Sequence, residues 1–204
     1  MLKPLAIFGA SWHGREVLQL VLDANIYVGQ GCFLDDMATG KMSGLPVMAG
    51  SFVNDPAFVA AHRFIVTIGD NAARLRIGRH ILNLGGEVIT VIHPTALVWH
   101  EAEIGIGSVV FPFAIVSDSA KVGQFCIVNK HATVGHGAVM EDGSNVSDRS
   151  SFSGRIGTES MLGLHVACIP GVDIGARCTV GAGAVCIRSV PDDTVVVGNP
   201  ARKI

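Results

Sequence analysis

Apolar and polar positions follow two rhythms along this chain, and the change falls near residue 90. Before it, strand-like apolar runs alternate with segments of helical period. LAIFGA (5–10) reads as a buried parallel strand. GREVLQLVLDA (14–24), with apolar Val17, Leu18, Leu20, Val21 and Leu22, reads as a helix with one buried face. YVGQGCFLDD (27–36) predicts a second strand, followed by a loop rich in Gly and Met and a short helix near 54–61. A strand at FIVTIG (64–69), a helix over 71–83 and a strand at EVITVI (87–92) complete the series. Alternating β and α segments imply a parallel sheet covered by helices, an α/β Rossmann-like domain over residues 1–90.

From Ile92 onward the period is six. Ile92, Val98, Ile104, Val110, Val116, Val122, Val128, Val134, Met140, Val146 and Phe152 are all apolar. The register then slips by two residues and resumes at Ile156, Leu162, Cys168, Ile174, Val180 and Cys186. All 17 positions are apolar, where a 49% hydrophobic composition predicts about half. A hexapeptide repeat is the signature of a parallel β-helix. Three short strands make an 18-residue coil with one inward side chain each, and coils stack at ~4.8 Å. About five coils fit between residues 92 and 190, in a second domain over 91–204. A β-sandwich would show period two instead.

Composition narrows the partners. With 15 basic and 17 acidic residues and a net charge of −2, no footprint for nucleic acid or a lipid surface is visible. The mean hydropathy of +0.47 is high. The repeat accounts for it, because solenoid cores bury a continuous apolar column. The longest apolar runs, such as VVFPFAIV (109–116), fall far below the ~18 residues of a membrane span. The start runs straight into a strand–turn–helix pattern without a signal-peptide layout. Cysteines 32, 126, 168, 178 and 186 form no CxxC pair and sit among apolar residues, which predicts buried reduced thiols and a cytoplasmic location.

Stacking brings together residues 18 apart. His100, Asp118 and His136 fall in one column; His131, Arg149 and, after the slip, His165 fall in another. Asp118 is therefore expected one coil from His136, within reach of its ring N–H, where a carboxylate fixes the tautomer and stabilises an imidazolium. His100 and His165 read more simply as polar decoration of the solenoid. His136 lies between Gly135 and Gly137, which leaves space for a ligand or a neighbouring subunit and makes it the candidate base.

Several stretches carry a resemblance in their order and spacing. They are IFGASWHGRE, FLDD (33–36), IGDNAARLRI (68–77), VIHPTALV (91–98), the coils, IPGVDIG (169–175), VGAGAV (180–185) and VGNPARK (197–203). Taken together they resemble the NeuD/PglD family of bacterial sugar O- and N-acyltransferases along the whole length. The resemblance implies a left-handed β-helix, a homotrimer with active sites at subunit boundaries, acetyl-CoA as donor, no metal, and a nucleotide-linked amino sugar as acceptor. It places His136 at the family's catalytic histidine. Three departures stand out: Gly137 replaces the acid after that histidine, Asn145 replaces a second histidine, and the segment near SGRIG is two residues shorter. Asp118, Glu141 or His131 are left to support the base.

The chemistry expected is direct transfer. Histidine, with an ordinary pKa of ~6.5, is neutral near pH 7 and can take the proton of an attacking amine. No cysteine sits in a nucleophile-like setting. The donor's pantetheine would pass Gly163, Gly181 and Gly183, with Asn199, Pro200, Arg202 and Lys203 of the tail near the CoA phosphates. The GASWHG turn between strand and helix could hold a diphosphate, but Ser11 stands where a GxGxxG motif needs its middle glycine, which argues against NAD. Gly9, Ser11, His13 and Gly14 carry over as phosphate and sugar contacts, and Asp35 and Asp36 as base or ribose contacts. His131 is a further substrate-binding candidate. Rival readings are an O-acetyltransferase of a sialic-acid-like sugar, a zinc enzyme resembling γ-class carbonic anhydrases, and a non-catalytic nucleotide-sugar binder.

Overall fold

The computed structural model describes residues 2–26 and 30–204 and divides into two compact units, Met1–Val91 and Ile92–Ile204. The first is a parallel sheet with helices. Its elements are β1 (Leu5–Phe8), α1 (Trp12–Asp23), β2 (Gly31–Leu34), β3 (Gly40–Met42), β4 (Leu45–Met48), α2 (Pro56–Ala61), β5 (Arg63–Val66), α3 (Asn71–Asn83) and β6 (Glu87–Val88). The strand order is β3-β4-β2-β1-β5-β6, parallel throughout except where β3 meets β4. The chain leaves β1 toward β2 and returns on its other side as β5, so the carboxyl end of β1 is a topological switch point.

Each helix starts where the sequence supplies a cap. The Ser11, Asp55 and Asp70 side chains accept from Gly14, Ala57 and Ala73 N–H respectively. The expected loop after residue 36 is instead the hairpin β3–β4. Ser43 and Gly44 take φ of +49° and +83°, the left-handed pair that a two-residue hairpin turn requires. Residues 27–29 of the expected second strand lie outside the described residues. EVITVI is not one strand: β6 ends at Val88, and Val91–Ile92 joins a different sheet.

The second unit is a left-handed parallel β-helix of two- and three-residue strands on three walls. The first wall stacks Val91–Ile92, Val109–Val110, Ile127–Val128, Asn145–Val146, Met161–Leu162, Thr179–Val180 and Val195–Val197, then adds Arg202–Lys203 antiparallel. The second stacks Leu97–Val98, Ile115–Val116, Thr133–Val134, Ser151–Phe152, Ala167–Cys168 and Val185–Cys186. The third stacks Glu103–Ile104, Lys121–Val122, Val139–Met140 and Arg155–Ile156, continued by bridges at Ile174 and Val190. Six strands on the second wall make about six coils among the described residues, not five. The repeat runs past Cys186 to Val190 and Val196, through a second two-residue shortening between Cys186 and Val190.

The predicted inward positions from Val110 onward are buried, each apolar side chain contributing ~1.5–3 kcal/mol of burial. At the open end, Ile92 is 36% exposed, because no coil of this unit lies beneath it. The five cysteines are buried free thiols. Cys126 and Cys178 share an inner corner column with Ser108, Ser144 and Ser160, where each small side chain bonds a corner carbonyl. Ser108 donates to Gly123 O at 2.7 Å, Cys126 to Glu141 O at 3.1 Å and Ser160 to Gly175 O at 2.6 Å. Burial pushes the Cys32 thiol up to about 11. No described helix is long and apolar enough to cross a membrane.

Candidate functional site

In the first unit, candidate residues cluster at the carboxyl end of β1. Gly9 has φ +112°, and a Cβ there would sit 2.9 Å from Thr67 Oγ1; a Cβ on Gly14 would overlap the Gly9 carbonyl oxygen. Both glycines are therefore needed to let α1 start hard against the sheet. Thr67, absent from the sequence-level candidates, locks this turn by donating its hydroxyl to Phe8 O at 2.9 Å. The Ser11 hydroxyl caps α1 and His13 lies half-buried in its first turn. The backbone N–H groups of Ser11 and Trp12 take no acceptor among the described residues, so they remain open toward an anion at the helix start.

The two acids of FLDD have different occupations. Both Asp35 oxygens accept backbone N–H groups: Ala10 at 2.8 Å, Met37 at 2.7 Å and Ala38 at 3.1 Å. Partial burial opposes its ionisation, but these bonds outweigh it and hold the carboxyl below the usual range. Asp35 is a brace for the turn rather than an open ligand contact. Asp36 accepts Gly50 N–H at 2.9 Å and faces a cavity of about 450 Å³. Asn54, Arg76 and His80 line the same cavity, with His80 Nε2 2.9 Å from Asn54 Oδ1. Sequence reasoning missed these three.

In the second unit, the register pairs Ile115 with Thr133 and Val116 with Val134, which sets Asp118 directly beneath His136 at the corner between the second and third walls. Both side chains are exposed. Gly137 donates to Asp118 O at 2.9 Å and takes φ +64°, the left-handed corner conformation that Ser119 takes one coil below. No hydrogen bond joins the imidazole to the Asp118 carboxylate among the described residues; that carboxylate accepts from the Ser119 hydroxyl at 3.2 Å. A Cβ on Gly135 would strike Ser153 Oγ, whereas Gly137 has open space around it, so only one flanking glycine leaves room. Above His136 the corner is shortened to Ser153 and Gly154, between strands Ser151–Phe152 and Arg155–Ile156. His136 thus has no equivalent in the coil directly above it, where the corner is notched, and the full-length corner resumes one coil higher at 169–173.

Glu141 does not join it. It lies at the far end of the Val139–Met140 strand, and its carboxylate is engaged by Arg155 and by Thr158 N–H at 2.9 Å and Oγ1 at 3.1 Å. His131 lies at the opposite end of the Thr133–Val134 strand, at the first corner, its ring stacked 5.1 Å from Phe113. Arg149, His165 and Gly183 follow it up that corner, each donating its N–H to the coil below. The Asn145 amide accepts from Asn129 Nδ2 at 3.1 Å beside the same corner. No three His, Cys, Asp or Glu side chains among the described residues form a metal-binding group, and His131 and His136 occupy different corners.

The glycines assigned to the donor divide. Side chains at Gly163 or Gly181 would strike the next coil, at Ala182 N and Val197 Cγ1, while Gly183 is open with φ +70°. In the tail, Asn199–Pro200 is cis. Arg202 and Lys203 line a cavity of about 230 Å³ together with Arg188, a third cation that the motif did not include.

A family model for the PglD N-terminal domain matches residues 4–81. A GDP-perosamine N-acetyltransferase of Escherichia coli O157:H7 is 30% identical over 97% of this chain and 95% of its own. The acetyltransferase domain of PglB from Neisseria gonorrhoeae FA1090, solved in complex with acetyl coenzyme A, superposes with a TM-score of 0.93 at 34% identity over 100% of both chains. PerB from Caulobacter crescentus, solved with CoA and GDP-perosamine, superposes with a TM-score of 0.90 at 27% identity, covering 100% of this chain and 98% of that one. These full-length likenesses join the hexapeptide coils and the β1–α1 turn in one conclusion: the chain belongs to the NeuD/PglD family of sugar O- and N-acyltransferases.

Proposed function

We propose that this chain transfers the acetyl group of acetyl-CoA to the amine of a nucleotide-linked amino sugar, with His136 as general base. The observation that carries this reading is the exposed imidazole beneath the shortened corner, on a chain alike over its whole length to a GDP-perosamine N-acetyltransferase. The thioester is already activated. The protein's work is to orient the two substrates, accept a proton and stabilise an oxyanion.

His136 accepts a proton as the amine nitrogen bonds to the carbonyl carbon. The C–S bond then breaks, its electron pair leaves with sulfur, and the imidazolium returns the proton to the thiolate. Asp118, one coil below, is the carboxylate of the same column. The first unit would hold the nucleotide: the open N–H groups at the start of α1 for the diphosphate, and the cavity of Asp36, Arg76 and His80 for the nucleoside. The donor would lie along the corner that carries Gly183, with Arg188, Arg202 and Lys203 near its phosphates. A homotrimer acting in the cytoplasm, with the donor between neighbouring copies, completes the proposal.

The test is thiol release from acetyl-CoA against GDP-, UDP- and TDP-linked 4-amino and 3-amino sugars, with a sialic-acid-like acceptor in parallel. Release with an amino sugar nucleotide supports the reading. Release only with the hydroxyl acceptor moves the activity to O-acetylation, and binding without release for every acceptor removes it.

A further inference from the structure

The first corner carries lysine, arginine and histidine side chains that the mechanism above does not use. Lys130, His131, Arg149 and His165 lie along it, against one acid, Asp148, whose Oδ1 already accepts Lys130 N–H at 3.1 Å. His131 is spent on its stack with Phe113. Arg149 is exposed, and no acceptor takes its guanidinium among the described residues. It sits in line with Gly183, two coils lower, with His165 between them.

The coils supply a ruler. In strand order, Arg202–Lys203 lies four steps from Asn145–Val146, the strand that leads into Arg149. At ~4.8 Å per step this is ~19 Å. A phosphopantetheine arm is about five peptide-like units long, ~17 Å when extended. With its phosphate end at the tail cations, its sulfur end falls within reach of the Arg149 side chain.

We propose that Arg149 is a further catalytic group, whose guanidinium contacts the thioester carbonyl oxygen and stabilises the charge that gathers there, with the base His136 supplied by the neighbouring copy, because the two residues lie at different corners of one solenoid. As the amine lone pair forms the C–N bond, the carbonyl π pair moves onto oxygen and is held by the guanidinium N–H donors. That pair then re-forms the carbonyl as the C–S bond breaks. Arginine suits the task because it stays cationic and presents its donors in a fixed fork. The proposal rests on the acetyl-transfer reading given above.

Arg149 has φ +58°, a conformation glycine adopts without strain. Arg149→Gly therefore removes the guanidinium without endangering the fold. Steady-state kinetics of the full chain with acetyl-CoA and its best amino-sugar acceptor are expected to show kcat lowered ~10²-fold. KM for acetyl-CoA should stay within about threefold of the wild type, the thermal midpoint should be equal or higher, and Arg149→Lys should recover part of the rate. Wild-type kcat in Arg149→Gly, or a loss confined to KM, overturns the assignment while leaving acetyl transfer intact. Wild-type preference for a succinyl donor that disappears in Arg149→Gly overturns it too, by moving the guanidinium to the acyl tail. Absence of turnover by the wild-type chain removes the acetyl-transfer reading and this proposal together.

Discussion

The backbone N–H of Gly137 donates to the carbonyl oxygen of Asp118 at 2.9 Å, which ties the residue following His136 to the acid one coil beneath it. Gly137 takes the left-handed corner conformation there, which glycine adopts without strain, and the register sets the Asp118 carboxylate in the coil beneath. The column fixes where imidazole and carboxylate emerge, and no hydrogen bond joins them among the described residues.

Unequal effects follow for the two residues. His136→Ala is expected to lower kcat by about 10²–10⁴ with unchanged circular dichroism. Asp118→Asn should cost no more than about three- to tenfold, because no hydrogen bond couples its exposed carboxylate to the ring. Thiol-release rates on both variants check the ordering; equal losses would mean a direct bond that this arrangement lacks.

Asp35 makes stability depend on acid. Its folded carboxyl is held low by backbone N–H donors, so its contribution is present above the unfolded value near 3.8 and is lost as pH falls through the folded one. Asp35→Asn should destabilise the first unit by about 1–3 kcal/mol at pH 7, since Ala10 and Met37 lose a charged acceptor. Thermal melts of both proteins from pH 7 to pH 3 should converge at the acid end. A constant gap across the range would show that the carboxylate's charge is not what braces the turn.

How much of this was legible depended on whether a residue's role is local. One inward side chain per six residues revealed the solenoid, and the break after Phe152 revealed the shortened corner. The break after Cys186 was hidden, because SVPDD reads as the end of a domain until Val190 and Val196 are found inside the core. Roles that depend on the next coil were hidden as well. Gly163 and Gly181 look like open approaches for a ligand until Ala182 and Val197 are placed above them. Asn54, Arg76 and His80 sit on a short turn and a helix face of ordinary polarity, and only the fold brings them to Asp36. Ser43–Gly44 was a readable hairpin signal, obscured by the short strands around it.

The two glycines beside His136 should respond in opposite senses. A methyl group at Gly135 meets Ser153 Oγ and the Phe152 carbonyl oxygen, whereas one at Gly137 meets nothing within 4 Å. Gly137→Ala then costs only the left-handed strain of about 1–2 kcal/mol, but places a methyl beside the imidazole and should raise KM for the acceptor. Gly135→Ala should cost more, about 2–4 kcal/mol, by forcing coils apart. Denaturant midpoints for both variants, read beside acceptor KM, separate packing from access.

The cavity behind Asp36 offers the sharpest separation of the two substrates. One Asp36 oxygen is taken by Gly50 N–H, which leaves the other as an acceptor in the cavity also lined by Arg76, whose own guanidinium has no partner among the described residues. An acid and a free guanidinium lining one cavity match a base edge that presents a donor beside an acceptor. Asp36→Asn and Arg76→Ala should therefore each raise KM for the nucleotide sugar about tenfold or more, with KM for acetyl-CoA unchanged, since the tail cations lie in the other unit. Competition by GDP, UDP and TDP against the same acceptor, on wild type and Asp36→Asn, reads the base directly. A preference that survives the substitution would place the base elsewhere, and a rise in acetyl-CoA KM would show that the two sites are not independent.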